Sequence, residues 1–233
     1  MHALLIVSWV FLGLGILSAV IIYIDINMGR YQAMPIMNVA WPITALYSSF
    51  LALYMYFKYG RAEKQMMMHH TKNKKTKAKA KKPHPKWVQI YISSTHCGAG
   101  CGLADIVSET FIYWAGITIF GAVIWASFFI DYAVALLFGL AFQFFNIMPM
   151  RPELSMSRGI WESFKADILS LTSFQLGMYA WLLAVHFIFS GALNAGSPIY
   201  WFMMQIGLTI GLLTTYPVNA LLIKWGVKVP CGS

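Results

Sequence analysis

Acidic side chains are scarce in this chain. Eight Asp and Glu stand among 233 residues, and charged residues of both signs make up only 11%. A soluble domain carries about a quarter. With 59% hydrophobic residues and a mean hydropathy of +0.63, the composition points to an integral membrane protein. Cysteine is scarce too: three residues, an odd count, exclude a secreted disulfide framework. Histidines within the apolar runs are too few to hold the paired haems of a b-type cytochrome. There is no glycine-rich phosphate loop, no Ser-His-Asp pattern and no zincin motif, so an enzyme is not expected. The first segment lacks a basic n-region and a small-residue cleavage site, and is expected to remain as an uncleaved span.

Basic residues are present and unevenly placed. The formal charge is +9, from seventeen Lys and Arg against eight acids. Between Lys58 and Lys86 eleven Lys or Arg accompany a single acid, Glu63. Such a run, interleaved with Ala, Thr, Asn and Pro, cannot bury enough apolar surface to fold. Residues 58–92 are therefore expected to form a disordered cytosolic loop that meets anionic lipid headgroups, and no nucleic-acid partner is expected.

Six apolar runs approach the roughly 20 residues that a helix needs to cross a bilayer. They are Ala3 to Ile24, Met34 to Phe57, Thr110 to Ile130, Tyr132 to Met148, Gly159 to Phe189 and Ile199 to Ile223, in a single membrane domain spanning residues 1–233. With both termini in the cytosol, sixteen of the seventeen basic residues fall inside and only Arg30 outside. The expected fold is all-α: a polytopic bundle of six transmembrane helices, N and C termini cytosolic. Asp131 then marks a tight outer turn between the third and fourth spans. "WPITAL" (41–46) and "YPVNAL" (216–221) form a faint internal echo, open to reading as a repeat or as two unrelated kinks.

The stretch "STHCGAGCGLAD" crowds His96, Cys97, Cys101 and Asp105 around three glycines. Cys97, Cys101, Asp105 and Glu109 recur every four residues, the spacing of one helical stripe. Gly98, Gly100 and Gly102 favour a tight loop, with regular helix from Leu103. Counting about 1.5 Å per residue from the turn at Asp131 puts the inner membrane boundary near Glu109. His96 to Asp105 are thus expected at the cytosolic headgroups. They would share a charged rim of Asp105, Glu109, Arg151, Glu153, Arg158, Glu162, Lys165 and Asp167.

His96, Cys97 and Cys101, with Asp105, make a soft ligand set that suits copper or zinc. Met148, Met150 and Met156 are candidate thioether neighbours. Glu109, Asp167, Gln175 and Asn146 are candidates for a proton or ion path. Asn38, Thr44, Gln143, Thr172, Gln205 and Asn219 are further intramembrane polar residues, of a kind more often used as interhelical hydrogen bonds. Cys97 and Cys101 also fit thiol–disulfide exchange, with His96 lowering a thiol pKa. A reducing cytosol and the absence of a Cys-x-x-Cys motif oppose that reading.

The stretches "HCGAGCGLADIVSE", "FKADILSLTSFQLGMYAW", "YPVNALLIKWGVK" and "WPITALY" resemble a family of bacterial and archaeal polytopic membrane proteins known as domain of unknown function 4396 (DUF4396). The resemblance covers nearly the whole chain outside the lysine-rich loop, with Ala104 where the family pattern leads one to expect Gly. It implies a fold and no activity, and places His96, Cys97, Cys101, Asp105, Glu109, Asp167 and Gln175 in the family's characteristic segments. The expected function is transport or transfer of a soft transition metal, copper first and zinc second, through a His-Cys-x3-Cys site at the cytosolic mouth. The alternatives are a membrane thiol–disulfide oxidoreductase, an accessory subunit of a membrane complex or homo-oligomer, and a proton or ion channel.

Overall fold

A computed structural model describes residues 2–32, 34–63, 84–150, 155–189 and 194–228. Among these residues the fold is all-helical, as the long apolar runs require: a backbone in hydrocarbon has to satisfy its own hydrogen bonds. Six α-helices follow in order: α1 (His2–Asn27), α2 (Met37–Met55), α3 (Lys86–Ala115), α4 (Val123–Met150), α5 (Met156–Ile188) and α6 (Pro198–Lys224). A π-helical turn, Tyr56–Gly60, continues α2. Helices α1, α5 and α6, and Val123–Phe145 of α4, are long and apolar enough to cross a membrane.

α3 is the hub. It packs against α2, α4, α5 and α6, and every residue from 91 to 102 is buried. The glycines expected to break this segment instead make it thin, and the helix runs unbroken from Lys86. A Cβ on Gly100 would lie 3.4 Å from the Cα of Gly139 on α4, and one on Gly98 would lie 2.6 Å from Tyr47 Oη. Small residues at such crossings let membrane helices approach closely.

The turn expected at Asp131 lies elsewhere. Gly116, in the left-handed region with φ 63°, caps α3, and Phe120 (φ 51°) and Gly121 (φ 76°) complete the reversal into α4. Asp131 sits inside α4 and is fully buried. The break in the apolar run is made by glycine conformation, which carries no polarity, whereas the one charged residue nearby is intramembrane. Depths counted from Asp131 were therefore wrong, and His96 to Asp105 lie within the bundle, not at a rim.

α2, expected as a straight span, folds back on itself. Ser49 has φ 39° and ψ −111°, which reverses the chain. In a straight helix residues 41 and 56 would stand about 22 Å apart; the Trp41 and Tyr56 rings are 5.6 Å apart. The returning arm brings Tyr56 Oη to 2.9 Å and Arg61 Nε to 3.0 Å from Asp25 Oδ2, at the C-terminal end of α1. Arg30 joins Asp25 at 3.5 Å. The hairpin tip meets the middle of the bundle, where Leu46 O accepts from Gln205 Nε2 at 2.6 Å. Gly15, ten residues before Asp25, lies against the same carbonyl.

These contacts define two ends of the bundle. Asp25, Arg61, the start of α3 and the end of α6 share one end, marked by Tyr59 beside Trp87 (5.3 Å) and Tyr216 Oη at 3.5 Å from Trp87 O. Leu4 packs with Val185, Ile199 and Met203 at the other. His2 and Lys228 therefore lie at opposite ends, in place of the shared side expected for the termini. The lysine-rich stretch expected as loop is ordered at both margins, in the π-helical turn and in α3 from Lys86; residues 64–83 lie outside the described residues.

The hairpin is testable by sidedness. Cysteines introduced at Met28 and Ala62 are expected to react with an impermeant maleimide from the same membrane face. Labelling from opposite faces would restore a straight second span.

Candidate functional site

α3 carries its polar residues on one stripe, and the neighbouring helices meet that stripe with polar groups of their own. Cys97, Cys101, Asp105 and Glu109 follow one another at about 6 Å per step. They are 1%, 0%, 0% and 2% exposed, which removes them from both water and lipid. α5 supplies Asp167, Ser170 and Gln175, and α4 supplies Asp131, all buried. Half of the eight acids in the chain, Asp105, Glu109, Asp131 and Asp167, are thus buried along one line.

Contacts join several neighbours along this file. Ser170 Oγ lies 3.6 Å from Cys97 Sγ and 3.4 Å from Asp167 Oδ1. Cys97 and Cys101 are free, buried thiols one helical turn apart. Gln175 Nε2 donates to Asp105 Oδ1 at 3.4 Å. One turn further, Ser108 donates to Asp131 Oδ1, and Glu109 is set against Asp131 and the hydroxyl of Tyr200. Four carboxylate oxygens, Asp105 Oδ2, Glu109 Oε1, Asp131 Oδ2 and Asp167 Oδ2, are buried with no hydrogen-bond partner among the described residues. Buried carboxyl groups that each leave an oxygen unsatisfied are costly, and intramembrane acids of this kind mark ion and proton pathways.

The file opens at one end. Glu109 lines a cavity of about 450 Å³ together with Tyr113, Ser127, His186, Asn194 and Tyr200, at the Leu4 end of the bundle. At the opposite end it reaches Ser94, Asn219 and Lys228: Asn219 Nδ2 donates to Ser94 Oγ at 2.9 Å, and Lys228 Nζ donates to Asn219 Oδ1 at 2.9 Å.

The structure redistributes the expected site residues. His96 does not join the cysteines. It neighbours Cys97 in sequence, so it points about 100° away around the helix, and its ring meets Phe142 of α4 at 5.9 Å. Both of its ring nitrogens are buried without a partner. Among the described residues no group of three His, Cys, Asp or Glu converges as a metal site. The charged rim dissolves: Asp105, Glu109 and Asp167 are interior, and Glu162 pairs with Lys165 at 2.8 Å on the exposed side of α5. There the bundle is inside out, with Trp161 exposed and Ser163 and Asp167 buried. Arg151, Glu153, Cys231 and the side chains of Asn146 and Met150 lie outside the described residues; Met156 is exposed.

Asp131, Ser170, Tyr200 and Lys228 belong to the file and were not singled out as site residues. Asp131 carried a legible signal, a lone acid in an apolar run. The echo of "WPITAL" and "YPVNAL" also has a structural counterpart. The residue two after each proline reaches one turn of α3: Thr44 Oγ1 lies 3.4 Å from Thr95 O, and Asn219 holds Ser94.

Comparison with known proteins bears on the same helices. The family model described as Domain of unknown function (DUF4396) matches residues 86–228, more than half of the chain. The chain belongs to that family. The match begins at the first residue of α3, so the DUF4396 segment contains the whole acid-and-thiol file and leaves α1 and the α2 hairpin outside, a narrower span than the motifs led one to expect. No curated protein and no solved structure matches the chain.

Because Cys97 and Cys101 are sealed, neither is expected to react with a bulky maleimide in the folded protein. Both should react fully on denaturation, a difference that mass spectrometry of the peptides reads directly.

Proposed function

We propose that this DUF4396 protein moves a cation across the membrane along the α3 file, with the buried carboxyl groups passing protons. The supporting observation is the burial of that file: four carboxyls and two thiols lie inside the bundle between a cavity at Glu109 and the Lys228 end. Each unpaired carboxylate oxygen is a proton site, and the spacing of about one helical turn suits transfer between neighbours through side-chain swing or a water.

Charge supplies the direction. Arg30, Lys58, Arg61, Lys86, Arg158, Lys224 and Lys228 all flank connections at the Asp25 end. The segments 116–122 and 189–197 at the other end contain no charged residue. In this reading the basic end faces the cytosol of a prokaryote and its anionic lipid headgroups, and the cavity at Glu109 faces outward. α1, α3, α4, α5 and α6 cross, and α2 is re-entrant, a form tolerated where protein covers it.

In liposomes with an entrapped pH dye, the wild-type protein is expected to dissipate a pH gradient. Asp105→Asn and Glu109→Gln should each slow it about tenfold or more. Rates equal to those of empty liposomes, or unchanged in both variants, would overturn the proton reading.

The placement of Cys97 and Cys101 one turn apart on the same buried stripe favours a second reading, in which the cargo is a soft monovalent metal ion. Two adjacent thiolates suit copper(I), whereas a structural zinc site needs four ligands and His96 points elsewhere. Purified protein is then expected to bind one silver(I) or copper(I) ion, with Cys97→Ser and Cys101→Ser each abolishing binding and His96→Ala leaving it intact. Equal binding in all four proteins would sink the metal reading.

A further inference from the structure

Lys228 is 2% exposed, an unusual state for a lysine. The chain turns at Gly226 (φ 72°) just after α6, and the side chain enters the bundle. No carboxylate lies within ion-pair distance of it among the described residues: the ion pairs there join Asp25 with Arg30 and Arg61, and Glu162 with Lys165. Its ammonium is held by neutral oxygens, Asn219 Oδ1 at 2.9 Å and Ser170 Oγ at 3.4 Å. Taking an ammonium out of water for two neutral acceptors is costly, so the acceptors must be well placed.

Their placement is built in. Asn219 Nδ2 donates to Ser94 Oγ, and Ser94 in turn donates to Ile90 O at 2.9 Å, so the amide oxygen of Asn219 is left to accept. Ser170 donates to Asp167 O at 3.0 Å, so the lone pairs of its hydroxyl are what Lys228 and the Cys97 thiol meet. Asp167, 3% exposed, stands one turn along α5 from Ser170, with Oδ2 unpartnered against Gly139. Two acceptors, Asn219 Oδ1 and Ser170 Oγ, converge on the position that Lys228 Nζ fills.

We infer that Ser170 and Asn219 form an inner binding site for a monovalent, ammonium-like cation, which Lys228 occupies as a tethered ligand. A cation moving between the file and the Lys228 end displaces the lysine, and the lysine closes the site behind it. The site itself stands on these contacts; only its part in transport rests on the cation-transfer reading above. A site filled by its own tether is open to an outside ion for only a fraction of the time, and its apparent affinity falls by that fraction.

The test needs no transport. In wild-type protein, acylation of Lys228, followed by peptide mass spectrometry, is expected to rise about tenfold or more as methylammonium saturates the site. Tetramethylammonium, which cannot donate a hydrogen bond, should have no such effect. A rate of Lys228 acylation independent of methylammonium would overturn the inference. Removing the tether gives a second measurement. In Lys228→Met and in Lys228→Gln, which keeps a donor, Cys97 should react at least about tenfold faster with cationic 2-aminoethyl methanethiosulfonate, while Lys228→Arg stays close to wild type. Unchanged Cys97 reactivity in folded Met and Gln variants, judged by their melting temperatures, would also refute it. Methylammonium-dependent exposure of Lys228 without proton flux in liposomes would retain the site and remove the transport reading.

Discussion

The burial of α3 on all sides is the constraint on which the rest of this structure depends. A helix surrounded by protein for three turns has no lipid face, so its polar groups can be answered only by neighbours. Each neighbour answers with a different element: α4 with Asp131, α5 with Asp167, Ser170 and Gln175, α6 with Asn219, and the α2 hairpin with Thr44 and Tyr47. Close approach comes from the glycines of α3, and Gly139 of α4 meets both Gly100 and Asp167. Polar stripe and small-residue crossings are therefore one design: the same helix that brings the acids together is thin enough for others to surround it.

Much of the fold was legible. Composition alone gives an all-α membrane bundle, but the third apolar run, Thr110 to Ile130, straddles the turn between α3 and α4 and is no helix of its own. What hydropathy could not see was direction. A re-entrant hairpin and a crossing helix contain the same number of apolar residues, and only the backbone at Ser49 separates them. Glycine was misread for a related reason. Gly98, Gly100 and Gly102 permit a loop, but surrounded by side chains as large as Tyr47 and Phe174 they serve as space, and a sequence does not say what stands opposite a missing side chain.

The candidate site was legible in its residues more than in its place. The stripe Cys97, Cys101, Asp105, Glu109 follows from four-residue spacing and persists as one helix face, with Gln175 and Asp167 of α5 packed beside it. His96 shows the weakness of reading chemistry from adjacency: next to Cys97 in the chain, it belongs to a different face. Asp131 and Lys228 were missed because charge was used as a marker of the membrane boundary. In a chain with so few acids that rule fails, since the interior has taken half of them. Contacts among side chains distant in sequence, such as Ser170 with Cys97, have no local signature.

α3 also differs from its neighbours in a way that bears on how the protein is made. It is as long as the crossing helices, but it is not among those apolar enough to enter a bilayer by composition. Its glycines, serines, threonines and acids give a translocon little reason to release it sideways into lipid. On the proposed topology α3 would therefore depend on the strongly apolar α4 and α5, which emerge after it, for the polar partners that make the membrane interior habitable. The most central helix of the bundle is then the one whose insertion is finished by segments not yet synthesised when it appears.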